Sequence, residues 1–288
     1  MGAGVVKARG ARFSAGWLAL REPFDAAARD TAAARLLPPL LACRPADGPW
    51  RVIDLGCGTG ANLRWLAPRL GGAQQWLVLD HDAALLRRWA SQPGFEPIAG
   101  DRLRWRDGGV EIVRRRLDLA RDLPTLPWHA AHLVTASALL DLVGADWLRQ
   151  LAALAAAARV PLLLSLSVDG RHHWGPADAD DGAIQRLFAA HQQGDKGFGP
   201  ALGARAVPRL AARLREQGYR VRLARSDWRI GGDGLALQRA LIEGMARAAA
   251  EQDPSQAARV GAWRQRRLAL AATGRVRVGH LELLAVPA

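Results

Sequence analysis

The sequence has few of the residues that mark an exported or disulfide-linked protein. Its 288 residues include only two cysteines, Cys43 and Cys57, too few for a disulfide framework or a four-ligand zinc site. No stretch reaches the roughly 18 uncharged apolar residues of a membrane span, because the most apolar run, residues 151–168, contains Arg159 and Pro161. The N-terminus also lacks the uninterrupted apolar stretch of a signal peptide. We therefore expect a cytoplasmic protein without a membrane segment.

Lysine is nearly absent, and arginine carries the positive charge. Lys7 and Lys196 are the only lysines in a chain of net charge +13 and pI near 11.4. Such a charge is typical of nucleic-acid-binding proteins, which neutralise phosphates with Arg and Lys. The arginines, however, are scattered through Ala- and Leu-rich segments, and the two dense groups, at 114–116 and 264–267, fit solvated faces. The pattern therefore favours compositional bias and disfavours nucleic acid as a partner.

Short β-rich runs alternate with longer helical ones through the first part of the chain. The predicted strands span residues 50–55, 76–79, 110–117, 131–136 and 160–166, and the predicted helices span 61–70, 83–90 and 146–157. A hairpin turn at Asp107, Gly108 and Gly109 is predicted to lead into the third strand. This order predicts an α/β fold with a Rossmann-like, doubly wound, mainly parallel sheet.

The regular pattern lapses after residue 168. The next segment is rich in Gly, Asp, His and Gln, contains a weak helix at 183–191, and is predicted to be a lid inserted after the fifth strand. Helices at 207–217, 235–250 and 256–271 and strands at 219–224 and 277–285 follow. We expect one domain, with seven strands and an antiparallel last strand, divided into an N-terminal helical cap (1–48), a core (49–168), the insert (169–206) and a C-terminal half (207–288).

The sharpest motif is DLGCGTG at residues 54–60, between the first predicted strand and the first helix. Alternate glycines let the backbone turn tightly and come within van der Waals distance of a ligand. The amides of the following helix N-terminus then face that ligand. Asp54, at the carboxyl end of the strand, can accept hydrogen bonds from a ligand ammonium. The motif thus predicts a small-molecule site at Asp54, Gly56, Gly58 and Gly60.

This motif resembles the first motif of class I S-adenosylmethionine (SAM)-dependent methyltransferases, where the segment holds the methionine part of SAM. Gly56, Gly58 and Ala61 also satisfy the relaxed dinucleotide fingerprint of NAD enzymes. Asp54, two residues ahead of the first glycine, and the third glycine at Gly60 favour SAM as the cofactor.

The resemblance implies roles for several residues downstream. Asp80, at the end of the second strand, would bind both ribose hydroxyls, and His81 would flank the adenine. Asp118 would accept the adenine amino group or is a turn residue at a strand end, and Ser137, in the segment after the fourth strand, would also bind the cofactor. Arg21 is a candidate clamp for the SAM carboxylate, since a guanidinium matches a carboxylate in geometry. An ordinary surface arginine is the alternative. Arg21 is placed just before a helix expected to start at Pro23.

The insert contains the candidate catalytic residues His191, Asp195 and Lys196. Its glycines permit lid motion, and His191 is the first choice for a general base, a role for which histidine is the most frequently used side chain. Asp141 and Asp169 are alternative bases, and an ordinary polar loop is the alternative for the whole segment. The residues 172–174, HHW, follow the fifth strand and could recognise the acceptor; with no carboxylate or cysteine at ligand spacing, we expect no metal.

Residues 18–23 and 191–203 resemble segments of a mostly uncharacterised bacterial branch of the family, which implies the activity but not the substrate. Residues 135–141 resemble the small-molecule branch and lack the Asn-Pro-Pro-Tyr type tetrapeptide of many base- and glutamine-methylating enzymes. We therefore expect methyl transfer to O or N of a small-molecule acceptor. An RNA methyltransferase and a SAM-binding protein without catalysis are the alternatives, and residues 234–272 are left open as an acceptor wall or a homodimer face.

Overall fold

A mixed β-sheet with helices on both faces forms the centre of the molecule. The computed structural model describes residues 13–106 and 109–288. In chain order the elements are α1 (Ala15–Leu41), β1 (Trp50–Leu55), α2 (Ala61–Leu70), β2 (Gln74–Asp80), α3 (Ala83–Arg88), β3 (Phe95–Ala99), β4 (Arg102–Trp105), β5 (Val110–Arg116), α4 (Leu119–Asp122), β6 (Leu133–Ser137), α5 (Ala145–Ala158), β7 (Leu162–Gly175), α6 (Asp181–Gln192), α7 (Ala206–Glu216), β8 (Tyr219–Arg225), β9 (Trp228–Ile230), α8 (Leu235–Gln252), α9 (Ala257–Leu270) and β10 (Arg275–Pro287).

The order of the strands is β3-β4-β5-β2-β1-β6-β7-β10-β8, and β9 pairs with β10. Neighbouring strands from β5 to β7 are parallel, whereas β10 runs antiparallel to β7, β8 and β9. Without the hairpin β3–β4 and the short β9, seven strands of the described chain remain, and β10 alone among them is antiparallel. The predicted doubly wound sheet with an antiparallel last strand is confirmed.

The central strands are apolar along their whole length because both faces of the sheet are covered. Successive residues of β1 point to opposite faces, so Val52 joins one core and Ile53 the other. Helices α1 and α2 cover the first face with side chains such as Leu36 and Leu63. Helices α5 and α7 cover the second face, where Leu151 is fully buried.

The fifth core strand, β7, is far longer than predicted. It continues to Gly175, so His172, His173 and Trp174 lie inside the strand and not after it. Its outer half pairs with the start of β10, from Val278 opposite His172 to Arg275 opposite Gly175, and β9 pairs with β10 there. The prediction that the pattern ends near residue 168 is wrong, because partner strands more than 50 residues away satisfy the backbone of a polar segment.

The helices after β7 pack into one layer. Ile184 of α6, Met245 of α8 and Trp263 of α9 share a buried core, against which Trp174 of the β7 extension packs. Two segments far apart in the sequence thus form one helical cap beside the carboxyl end of β7. None of the described helices is both long enough and apolar enough to cross a membrane.

Two further predictions need correction. Helix α1 begins at Ala15, with Ser14 as its cap, and runs through Pro23; packing of Trp17 against Trp228 stabilises the extra turns. The direct β-α-β path to the third core strand is also wrong, since β3 and β4 form an additional edge hairpin there. That hairpin is held by Phe95, which stacks on Trp105. Of the predicted turn before β5, Asp107 and Gly108 lie outside the described residues.

Candidate functional site

The loop between β1 and α2 has the backbone conformation that its glycines permit. Gly56, Gly58 and Gly60 all have positive φ, at 68°, 53° and 92°, a region that other residues rarely adopt. A Cβ at Gly60 would lie 3.0 Å from the Trp89 ring, and one at Gly58 would lie 3.2 Å from Leu18. The loop therefore requires glycine for its conformation and for the close approach of its neighbours.

Asp54 is fully buried at the carboxyl end of β1. Its Oδ1 accepts a hydrogen bond from Asn62 Nδ2 at 2.7 Å, while its Oδ2 has no partner within the described chain. Burial raises the pKa of Asp54 to about 7, against the lowering effects of the Asn62 hydrogen bond and the Arg29 charge. An unpaired buried carboxylate oxygen is costly unless a ligand completes it.

Arg29 of α1 is the positive counterpart of Asp54. Its Nη1 donates to Asn62 Oδ1 at 2.9 Å, and its Nε lies 4.0 Å from Glu282 Oε2. Its Nη2 has no partner among the described residues, and the guanidinium stacks 3.7 Å from the Trp65 ring centre. Asn62 thus bridges a carboxylate with one unpaired oxygen and a guanidinium with two nitrogens, Nε and Nη2, that make no hydrogen bond in the described chain.

A cavity of about 210 Å³ lies between α1, α2, the carboxyl end of β6 and Leu166 in the first half of β7. Arg29, Asn62 and Ser137 line it, so the predicted Ser137 does belong to this site. Further lining residues come from both helices and from β7: Glu22, Asp25, Ala26, Ala61, Arg64, Trp65, Arg69 and Leu166.

The backbone beside this cavity is strained at two positions. Ala138 after β6 and Leu166 within β7 both have a φ of +54° although neither is glycine. The Leu166 amide donates to Glu282 Oε1 at 3.0 Å, and Ser226 Oγ donates to the same oxygen at 2.7 Å. Strain of this kind is retained where surrounding contacts fix it, and it concentrates at functional sites.

Asp80 ends β2, as predicted, and already holds the glycine loop. Its carboxylate accepts the Gly58 amide at 2.9 Å and the Asp82 amide at 2.8 Å. His81 Nδ1 lies 3.5 Å from Asp80 Oδ1, and Asp82 caps α3. Asp118 accepts the Ala120 amide at 3.0 Å and thereby caps α4, which agrees with its interpretation as a turn residue.

Arg21 lies on the same face of α1 as Arg29 and pairs with Asp25. Its Nε and Nη2 form a fork with Asp25 at 2.8 and 3.0 Å, and the guanidinium lies 5.0 Å from the Trp228 ring centre. Asp25 also accepts Trp228 Nε1 at 2.9 Å. The predicted clamp is therefore directed to Asp25, and Arg29, two turns further along the helix, is the arginine next to Asn62.

The three candidate catalytic residues of the insert lie close together at the end of α6. His191 Nε2 is 3.1 Å from Glu251 of α8, and Lys196 Nζ is 3.5 Å from the His191 carbonyl oxygen. Asp195 Oδ1 accepts the Gly197 and Gly199 amides. Within the part of the chain that the structure covers, no hydrogen bond or ion pair joins them to Asp54.

The loop that follows α6 packs against α5 and the residues that precede α5. Phe198 packs edge-on against Trp147 of α5, with ring centres 5.6 Å apart. The Leu202 amide donates to the Val143 carbonyl at 2.9 Å. A Cβ on Gly144 would lie 2.4 Å from the Phe198 carbonyl oxygen. The insert is thus packed against the connection between β6 and α5.

The sequence analysis missed Arg29, Asn62 and Glu282, which complete the polar network behind Asp54. One signal was available for the first, since Arg21, Asp25 and Arg29 recur every four residues and so share one helix face. Asn62 and Glu282 carry no such signal, because only the folded chain brings them to Arg29.

Comparison with known proteins found no matching family model and no matching curated protein. Solved structures do resemble the chain. Cyclopropane synthase MmaA2 from Mycobacterium tuberculosis has a TM-score of 0.46 and 12% identity over 95% of this chain and 94% of its own. A SAM-dependent methyltransferase from Thiobacillus denitrificans, in complex with S-adenosyl-L-homocysteine (SAH), has a TM-score of 0.39 and 16% identity over 87% of this chain and 90% of its own. A SAM-dependent methyltransferase from Geobacter sulfurreducens, also in complex with SAH, has a TM-score of 0.39 and 17% identity over 88% of this chain and 90% of its own. At these TM-scores the likeness assigns neither a family nor a function to this chain.

Proposed function

We propose that this chain is a SAM-dependent methyltransferase that transfers a methyl group to an O or N atom of a small metabolite. The observation that carries the proposal is the pair of unused atoms, Asp54 Oδ2 and Arg29 Nη2, joined through Asn62 beside the glycine loop. A buried carboxylate and a buried guanidinium complement the ammonium and carboxylate of an α-amino acid, which is the tail of SAM.

The rest of the site suits the same cofactor. Glycines without side chains let the backbone of the loop approach a ligand. Asp80 is proposed to bind the ribose, His81 to flank the adenine, and Asp118 to accept the adenine amino group, each with lone pairs beyond those used within the protein. Arg29 is proposed as the carboxylate clamp in place of Arg21.

SAM, when bound, would supply a methyl group on its sulfonium sulfur. An acceptor lone pair would attack the methyl carbon in line with the C–S bond, and the thioether would leave. The residues around the cavity hold and orient the two reactants and exclude water, which is where catalysis of such a displacement originates. His191 stays our proposal for a base, with Asp195 and Lys196 beside it. The loop that bears them is proposed to cover the acceptor.

The ion pairs bear on the RNA alternative. In the group at 264–267, Arg266 pairs with Asp178 and Asp180, and Arg267 is buried against Asp181. These side chains form ion pairs within the layer of α6, α8 and α9. The prediction that this arginine group lies on a solvated face is therefore wrong for Arg267. Pairing of this kind favours a small metabolite as acceptor. The cytoplasmic location and a homodimer remain proposals.

Calorimetry with SAM and SAH on the purified protein tests the cofactor. We expect binding of both, with a Kd in the micromolar range or tighter. Binding of a nicotinamide dinucleotide with no binding of SAM or SAH would overturn the proposed function.

A further inference from the structure

A second group of buried polar side chains lies beside the donor site. Within the described chain, most buried side-chain atoms that lack a hydrogen-bond partner, other than those of Arg29 and Asp54, lie in the paired strands β7 and β10 or in the turn that follows β6. They are Asp141 Oδ1, Ser165 Oγ, Ser167 Oγ, His172 Nδ1 and His280 Nδ1. Folded proteins leave few buried polar atoms unpaired, so such a concentration calls for a ligand.

Asp141 is the charged member of this group. It lies four residues beyond Ser137, in the turn that follows β6, at the edge of the sheet where ligands of open α/β folds bind. Burial raises its pKa to about 6, and Arg21 is the charged residue whose field lowers it. Near neutral pH the carboxyl group can therefore accept a proton or a hydrogen bond.

Arg21 is the positive group of the same region. Its guanidinium lies 5.0 Å from the Trp228 ring centre, against which the His280 ring packs, and its charge lowers the pKa of both Asp141 and His280. It gives Nε and Nη2 to Asp25, while Nη1 makes no hydrogen bond in the described chain. Arg29 lies next to Asn62 and Asp54 and is already assigned to the carboxylate of SAM. Arg21 Nη1 is therefore available to a different ligand.

The two histidines are neutral partners. Burial lowers the pKa of His172 to about 4 and that of His280 to about 3, the latter further lowered by Arg21. The His172 ring packs edge-on against Phe188, and the His280 ring lies 4.9 Å from the Trp228 ring centre. They offer hydrogen bonds without charge, so Asp141 and Arg21 determine the charge that a ligand must carry.

We propose that Asp141 and Arg21 bind the methyl acceptor, and that the acceptor is a small molecule with an amine or hydroxyl nucleophile held by Asp141 and an anionic group held by Arg21. This rests on the proposed function. As the nucleophile's lone pair forms the bond to the methyl carbon, the C–S electron pair stays on sulfur. Asp141 orients the nucleophile through a hydrogen bond, and the nucleophile's proton passes to the proposed base, His191.

The test separates acceptor chemistry from cofactor binding. A deproteinised bacterial extract is passed over a strong anion exchanger at a pH above the pKa of an amine, so that amines with an anionic group are retained and simple amines and alcohols are not. Each fraction is incubated with the protein and methyl-labelled SAM, and label is read by mass spectrometry. We expect label in the retained fraction; label in the unretained fraction alone, or in neither, overturns the proposal. Failure of SAH to bind would instead overturn the proposed function.

Variants assign the two roles. With the active fraction, Asp141→Asn should lower kcat on the order of 100-fold. Arg21→Gln should raise KM for the acceptor about tenfold without changing the Kd of SAH, and Arg21→Lys should restore part of the loss. Arg35→Gln, an exposed arginine on the same helix, is the matched control and should leave both values unchanged. An Arg21→Gln variant that loses SAH affinity as strongly as acceptor affinity would place Arg21 at the donor and contradict the proposal.

Discussion

Single residues carry most of the chemistry proposed for this chain, and Asp54 carries the largest share. It is buried where water cannot complete its hydrogen bonds, so the charged form depends on Asn62, on Arg29 and on whatever binds Oδ2. A carboxyl group with a pKa near 7 is half protonated at neutral pH. Any cation that binds there must therefore shift its proton equilibrium.

We predict that SAM binding near pH 7 releases protons from Asp54. The ammonium stabilises the ionised carboxylate, so the bound state holds fewer protons than the free state. Calorimetry in buffers of different ionisation enthalpy measures the number released. Asp54→Asn should bind SAM about 10- to 100-fold more weakly and lose this contribution, whereas Asp47→Asn, an exposed aspartate, should behave like the parent protein. Identical proton release by the parent protein and Asp54→Asn would contradict the assignment.

The same group has a predictable effect on stability. The folded-state pKa of about 7 lies above the ordinary value of 3.8. Its stabilising contribution is therefore fully present below about pH 4 and is lost as the pH rises to about 7. Urea unfolding of ligand-free protein should show Asp54→Asn losing less stability than the parent protein between these pH values. An equal loss in both would show that Asp54 does not titrate in this range.

Gly60 is the loop position with the least tolerance for a side chain. We predict that Gly60→Ala lowers the free energy of unfolding by about 1–3 kcal/mol or more, because its φ is +92° and a Cβ would meet Trp89 at 3.0 Å. The control is Gly244→Ala in α8, where a Cβ meets nothing within 4 Å. That change should stabilise the protein by up to about 1 kcal/mol. Equal effects of the two changes in urea unfolding would argue against a special conformation at Gly60.

Among the elements, α1 has the widest reach. It supplies Arg29 beside Asn62, Arg21 beside Asp25, and Leu18 over Gly58. Trp228 of β9 connects the first half of α1 to the sheet, because its indole N–H donates a hydrogen bond to Asp25. The helix therefore connects the proposed donor and acceptor groups along one face.

The segment after α6 is the element whose role the mutants must decide. We predict that His191→Ala lowers turnover on the order of 100-fold while the affinity for SAM is unchanged, as expected for a general base. Glu251→Ala, which removes only the ion-pair partner of His191, is the matched control and should keep most of the turnover. Normal turnover of His191→Ala would rule out the role of His191 as base.

At the scale of the whole molecule, several arginines are held in internal ion pairs, which leaves fewer guanidinium groups free to neutralise phosphates. Besides the cap arginines, Arg64 pairs with Glu22, Arg69 with Asp30, and Arg171 with Asp227. We predict weak RNA binding, with a Kd above about 10 µM at physiological salt. Filter binding at several salt concentrations measures it. Micromolar affinity that falls steeply with salt would instead support the RNA methyltransferase alternative.

The sheet could be predicted because its signals are local. An apolar run such as residues 50–55 predicts a strand that is covered on both faces of the sheet. The alternate glycines predict a turn with positive φ. The outer half of β7 could not be predicted, since His172 and His173 are polar and become strand only through pairing with β10. The β3–β4 hairpin was missed for the same reason: its stability depends on packing of Phe95 and Trp105.

The amino-acid sequence was sufficient for the α/β architecture, for the glycine loop and for Asp54 and Asp80 at the ends of their strands, because strand periodicity and backbone conformation are properties of neighbouring residues. Only the tertiary structure decided which arginine stands next to Asp54, which buried groups remain unpaired, and that the insert packs with α8. Those outcomes depend on contacts such as Arg29 with Glu282, more than 250 residues apart, and burial of this kind arises only when the chain folds.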